Sequence, residues 1–361
     1  MINFYPGPSK IFPGLEKHIS DAFSSSILSQ NHRSIPFMQL LQETIELFKS
    51  QMNIPEDYKV YFTSSATEGW EIAAQSLLHG NVQFIYNGAF GKKWFKYVVT
   101  NPAPLDRPTL PESLKKGHLR GSRFLTNDSF NKINFEEKID CFCAVQNETS
   151  NGTQITNDQL NTIHKDTLKC FDITSSLGGI SIDFSAGDYW LASVQKCLGL
   201  PSGMGILIIS PKALDLAVRI GDGNYYNSLL NIEENFKKYQ THYTPSILHI
   251  YLLNRLLKMV PPISETSQII KERAKNWYTF FEKSNVMKPL VKNPDVRSDT
   301  VIAVEATPEK VLEIKQIAQE NGITLGSGYG EWKESTFRIA NFPAITDSEI
   351  QTLQTLLTSL L

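Results

Sequence analysis

An alternation constrains this chain more than any other feature. Between about residues 58 and 210, short apolar runs take turns with stretches whose apolar residues recur at helical spacing; KVYFTSS, VQFIYN, DCFCAVQ, ISIDFS and GILIIS read as strands. A chain that returns to a buried strand after each helix builds an α/β fold, a mainly parallel sheet between helices. Ligands of such sheets bind beyond the carboxyl ends of the strands, so chemistry is expected in the turns that follow them. The last hundred residues obey another rule. SETSQIIKERAKNWYTFFEK reads as one long amphipathic helix. After it VIAVEA, PEKVLEIKQIAQENG, ITLGSG, TFRIANF and TDSEIQTLQTLLTSLL form a βαββα unit, whose last helix opens with Thr346 and Glu349 at capping-box spacing. A length of 361 residues is where a single core stops growing. The expected organisation is a large domain over residues 15–250 and a small α+β domain made of residues 1–14 and 251–361.

The 35 basic and 37 acidic side chains nearly cancel, to a formal charge of −2, and offer no basic stripe to a nucleic acid. No run approaches the roughly 18 apolar residues of a membrane span, and MINFYPGPSKIFPG lacks the basic and then apolar order of a signal peptide. A cytoplasmic protein is expected, with neither nucleic acid nor membrane as partner. The four cysteines, Cys141, Cys143, Cys170 and Cys197, form no C-x-x-C pair and read as free structural thiols, with no metal site. Asn127, Asn147 and Asn151 open N-x-S/T triplets, which carry no glycosylation meaning without secretion.

Four strand-end turns hold candidate chemistry. In TSSATEGWEIAAQSLL (63–78) small hydroxylated residues run into a helix, with Ser65 and Glu68 at capping-box spacing. The pattern fits an anion site at a helix N-terminus and equally an ordinary capped helix; without G-K-[ST] it is not a triphosphate loop. DYWLASVQKCLGLPSGMGILIIS (188–210) holds Lys196, with no other charge between Asp188 and Lys212. Desolvation of that amine favours the free base that condenses with an aldehyde; the alternative is a lysine snorkelling from a sheet edge. Asp172, 24 positions earlier, ends a short apolar strand in LKCFDITSSLGG, as a turn cap or as the acid that keeps a pyridine nitrogen protonated. YNGAFGKKW places Phe90 to stack on a ring or to join the core, and AVQNETSNGTQ places Asn147 and Thr149 within reach of a ring oxygen. An anion site, an aromatic plate, a carboxylate and a desolvated lysine together describe a site for pyridoxal 5′-phosphate.

With these motifs in this order, the chain resembles the class V aminotransferases of fold-type I, and among them the phosphoserine aminotransferases. The likeness spans nearly the whole chain: NFYPGPSKIFP, NHRSIPF at 31–37, NETSNG, the Asp172 turn, SVQKCLG, HYTPSI at 242–247 and FRIANFP at 337–343. The resemblance implies that Lys196 is the Schiff-base lysine, that Gln195 contacts the phosphate region, that Asp172 partners the pyridinium and that Thr149 lies near the ring oxygen. Ala66 and Thr67 fall at the phosphate-binding turn, and Phe90 falls where the family commonly has a tryptophan. Tyr243 and Thr244 fall where the family has an Asn-Thr pair donated by the neighbouring subunit, which implies a homodimer with shared active sites. Arg338 matches the α-carboxylate arginine. His32 and Arg33 match a pair that reaches the distal phosphate or carboxylate of the substrate from the partner. Two family features are missing: TSSATEG has no arginine, and SGYGEWKES before Arg338 has no histidine. Lys333 is expected to supply part of that charge.

The implied reaction is ping-pong transamination of O-phospho-L-serine with 2-oxoglutarate, giving 3-phosphohydroxypyruvate and L-glutamate in serine biosynthesis. Alternatives are a class V aminotransferase that passes the amino group of alanine or serine to glyoxylate or pyruvate, and a non-catalytic scaffold of the same fold. A cysteine desulfurase is disfavoured because no cysteine follows Cys197, and a dehydrogenase because IGDGNYYNS lacks the dinucleotide fingerprint.

Overall fold

A computed structural model of the chain describes residues 1–100, 116–123 and 139–361. Two sheets and a two-stranded β6-β7 ribbon organise it, with strands β1 (Ile2–Phe4), β2 (Lys59–Thr63), β3 (Gly80–Tyr86), β4 (Lys116–Arg123), β5 (Cys141–Val145), β6 (Asn147–Glu148), β7 (Thr153–Gln154), β8 (Leu168–Asp172), β9 (Tyr189–Ser193), β10 (Gly205–Ile209), β11 (Lys288–Pro289), β12 (Val301–Glu305), β13 (Ile323–Ser327) and β14 (Thr336–Ala340). The large sheet runs β2-β10-β9-β8-β5-β3-β4. It is parallel from β9 to β4, and β10 is antiparallel to both its neighbours. β5, β8, β9 and β10 are buried along their whole length, as near-continuous apolar runs covered on both faces must be. Register matters for the site: Asp172 pairs with Val145 on one side and Leu191 on the other, so the carboxyl ends of β5, β8 and β9 lie level.

The small sheet runs β1-β13-β14-β12-β11. The N-terminal segment, patternless in sequence, supplies its edge strand, with β1 pairing parallel to β13. Each sheet has its own apolar cluster. One gathers Phe62, Trp94, Phe142 and Trp190 around the large sheet. The other gathers Phe4, Trp277, Phe281, Phe337 and Leu353 beneath the small one. The closing helix Asp347–Thr358 starts on a complete capping box: Glu349 N–H donates to Thr346 Oγ1, and Thr346 N–H donates to Glu349 Oε2 (2.8 Å).

ISIDFS is not a strand. Ile180 and Ile182 are buried, but the segment joins no ladder and ends in the 3-10 turn Phe184–Ala186. Side chains take the place of a neighbouring strand. Asn157 Nδ2 donates to the Ser181 carbonyl (3.0 Å), Asp183 N–H donates to Asn157 Oδ1 (3.2 Å) and Ser181 N–H donates to Ser267 Oγ (3.1 Å). The four cysteines are buried and free. Asn147 and Asn151 are buried, which closes them to glycosylation, and Asn127 lies outside the described residues. Among the described residues no helix is long and apolar enough to cross a membrane.

Candidate active site

The level strand ends create a cavity of about 190 Å³ lined by Ala66, Thr67, Trp70, Phe90, Lys93, Asn147, Thr149, Asp172, Thr174, Ser193, Gln195 and Lys196, with Gly7 and Pro8 of the N-terminal segment across it. Lys196, three residues past β9, is buried at 8% exposure. Its Nζ donates to Thr149 Oγ1 (2.6 Å) and lies 5.2 Å from the centre of the Phe90 ring. Burial lowers its pKa from 10.5 to about 8; Asp172 and Glu148 oppose the shift, and Arg338 adds to it. Gly7 is necessary here. Its φ is +145°, and a Cβ would stand 3.0 Å from Lys196 Cε.

Asp172 closes β8 with its carboxylate facing the cavity. Trp70 Nε1–H donates to Oδ2 (2.9 Å) and Thr174 N–H to Oδ1 (2.9 Å). Burial raises its pKa, while these hydrogen bonds and the Lys196 charge pull it back. The helix Ala66–Ser76 points its N-terminus at the same space. Ser65 Oγ accepts from Glu68 N–H (3.1 Å), but only half of the expected capping box forms, because the Glu68 carboxylate turns to Ser64 N–H (2.8 Å) and Oγ (2.7 Å). Ala66 N–H donates to Ser193 Oγ (2.8 Å), which ties the turn to the end of β9. Asn147 is less free than its sequence position suggests. Its amide donates to the Ser175 carbonyl and hydroxyl and to Thr300 Oγ1, and its Oδ1 is buried without a partner among the described residues.

Arg338, on β14, approaches from the small sheet at 4% exposure. Nε donates to the Ser327 carbonyl (2.8 Å) and Nη1 to the Thr149 carbonyl (2.7 Å), while Nη2 makes no hydrogen bond among the described residues. Thr149 therefore touches both cations, the lysine through its hydroxyl and the arginine through its carbonyl. Tyr329 packs between the two sheets, its ring 5.4 Å from Phe90 and 5.7 Å from the guanidinium.

Other expected residues stay apart from this cavity. His32 and Arg33 sit before the helix Ile35–Met52, Arg33 exposed. Tyr243 meets His242 edge-to-face at 4.9 Å, and Thr244 is exposed beside it. Lys333 is exposed after the turn Gly330–Trp332 and does not line the cavity. Sequence reading passed over Trp70, Ser193, Glu148 and Tyr329. Trp70 reads as one more apolar residue of a helix face, and its indole N–H is what binds it to Asp172.

The aminotransferase class-V family model matches residues 114–336. A phosphoserine aminotransferase of Nocardioides sp. is 24% identical over 97% of this chain and 92% of its own. The crystal structure of a phosphoserine aminotransferase from Cytophaga hutchinsonii superposes with a TM-score of 0.89 at 27% identity, covering 99% of this chain and 98% of its own. A pyridoxal phosphate-bound phosphoserine aminotransferase from Trichomonas vaginalis shares the fold, with a TM-score of 0.78 at 16% identity over 99% of each chain. With more than half of its length inside the family model, the chain belongs to the class-V aminotransferase family.

Proposed function

We propose that this chain is a pyridoxal phosphate-dependent aminotransferase that moves the amino group of O-phospho-L-serine to and from 2-oxoglutarate, in serine biosynthesis. One observation carries the reading: a buried amine of lowered pKa, Lys196, stands over Phe90 in a cavity it shares with the Asp172 carboxylate. The residues present fit the cofactor. Lys196, an amine able to be neutral near pH 8, would receive the aldehyde, Asp172 would hold the pyridine nitrogen, and the N-terminus of Ala66–Ser76 beside Gln195 would hold the phosphate.

When bound, the cofactor supplies an electron sink for the bond breaking at the substrate α-carbon. The protein does the rest. Lys196 Nζ takes the α-proton and returns it, and its lowered pKa suits a group that acts as base and then as acid. Asp172, held by Trp70 and Thr174, keeps a charge fixed at the far end of the cavity. Arg338 turns Nη2 toward the α-carboxylate, its other donors being anchored to Ser327 and Thr149. Phe90, backed by Tyr329, sets an aromatic face beside the Lys196 amine. In a homodimer with shared sites, His32, Arg33, Tyr243 and Thr244 of each protomer would complete the other's cavity, the first two at the distal anion of the substrate and the last two at the cofactor phosphate.

Half-reactions test this directly. Phosphoserine and glutamate, each given alone to the holoenzyme, should bleach the visible absorbance of the bound cofactor, and alanine should not. Bleaching by alanine without phosphoserine would move the assignment to a small neutral amino acid, in line with the loop TSSATEG that lacks an arginine. A protein that stays colourless after incubation with pyridoxal phosphate would leave only a scaffold.

A further inference from the structure

Glu148 is a buried carboxylate with no part in the steps above. It is 1% exposed, in β6, one residue before Thr149. Its oxygens accept from the backbone N–H of Phe90 (3.4 Å) and Gly91 (3.0 Å), and from the N–H (3.1 Å) and hydroxyl (2.6 Å) of Ser150. Phe90 and Gly91 open the helix Ala89–Thr100, where orphan N–H groups and the helix dipole favour an anion. Residue 88 leaves room for the carboxylate, because a Cβ on Gly88 would overlap the Glu148 side chain. The helix start that presents Phe90 is thus held by this side chain together with Ser150 Oγ, which accepts from Ala89 N–H (2.9 Å).

Its charge matters as well as its contacts. Lys196 is surrounded by Asp172, Glu148, the Cys197 thiol and Arg338. Arg338 in turn faces Tyr5, Glu148 and Tyr329. Glu148 is the carboxylate common to both, although among the described residues neither cation forms an ion pair with it or with any other acid.

We propose that Glu148 is a positioning residue of this site: sealed at the start of the helix Ala89–Thr100, its carboxylate sets Phe90 against Lys196 and supplies the negative charge that lets Lys196 and Arg338 stand in one buried space. The proposal rests on reading Lys196 as the reactive amine, and it is independent of which amino acid is the substrate.

The test separates charge from contact, using two variants and a readout on the cofactor-free chain. Competitive labelling with acetic anhydride across pH, read as the mass of the Lys196 peptide, gives the midpoint at which that amine loses its proton. Glu148→Gln keeps the shape and removes the charge; it should lower the midpoint by about one pH unit and, in the holoenzyme, raise KM about tenfold for every amino acid accepted. Glu148→Asp keeps the charge but falls short of the Phe90 and Gly91 amides. It should leave the midpoint near the wild-type value while KM rises. A wild-type midpoint in Glu148→Gln overturns the proposal, and so does an equal loss in both variants with the midpoint unmoved, which is the signature of a merely structural cap. Should Glu148→Gln not fold, a lowered midpoint in Glu148→Asp overturns it, because the charge is still there. A chain that takes up no cofactor would count against the function proposed above, and labelling of the apo chain would still decide the role of Glu148.

Discussion

The residues around Lys196 and those around His32 and Tyr243 are held in different ways. Lys196 and Arg338 both hydrogen-bond Thr149 (2.6 and 2.7 Å), Trp70 hydrogen-bonds Asp172 (2.9 Å), and each of the five is less than a tenth exposed. Arg33 and Thr244 are exposed, and the ring nitrogens of His242, next to Tyr243, are buried without partners among the described residues. One set is completed by the fold of a single chain. The other leaves polar side chains exposed, and the homodimer proposed above would bring partners to them.

The largest effect should come from the inner set. Lys196→Ala should lose at least a thousandfold in turnover, measured as glutamate formed, while keeping the fold by circular dichroism. Activity within tenfold of wild type would remove Lys196 from the mechanism. Asp172→Asn should cost on the order of a hundredfold or more in kcat, since it keeps a partner for Trp70 and loses the charge. Arg338→Lys retains a cation but not the fork, and steady-state kinetics should show KM for the amino acid raised about ten- to hundredfold with a smaller change in kcat.

The outer set should respond more weakly and, in a shared site, across protomers. Arg33→Ala should raise KM for phosphoserine about tenfold. Subunit exchange with Lys196→Ala then rebuilds one site with both residues, and the hybrid should show the wild-type KM. A hybrid that keeps the Arg33→Ala value would place Arg33 outside the partner's cavity.

A further effect is on stability. In the folded apo chain the Lys196 amine titrates near 8 against an ordinary 10.5, so above pH 8 the unfolded chain binds more protons than the folded one. The stability contributed by this group therefore rises as pH goes from about 8 to 10.5, by on the order of 3 kcal/mol. Urea unfolding of wild type and Lys196→Met at pH 7.5 and pH 10, buffer values of about that size being sufficient, should show a gain with pH that the variant lacks.

The same division explains what could be read from sequence. Lys196 and Asp172 were legible because a lone charge in an apolar stretch and a carboxylate at a strand end are local patterns. The closing helix was legible because Thr346 and Glu349 cap it within four residues. What escaped was set by contacts distant in the chain. ISIDFS has the apolar content of a strand, but Asn157 and Ser267 hold its backbone instead of a neighbouring ladder. Glu148 looked like one letter of a motif, and its work at Phe90 and Gly91 depends on a helix start 58 and 57 residues away. Tyr329 meets Phe90 only because the two sheets face each other.

In the function proposed above, Lys196 is the amine that captures the cofactor. Incubation with pyridoxal phosphate, borohydride treatment and peptide mass mapping tests it most directly. A single modified peptide is expected, the one that contains Lys196, with no other lysine labelled to a comparable extent; modification centred on another lysine, or none, would remove Lys196 from that role.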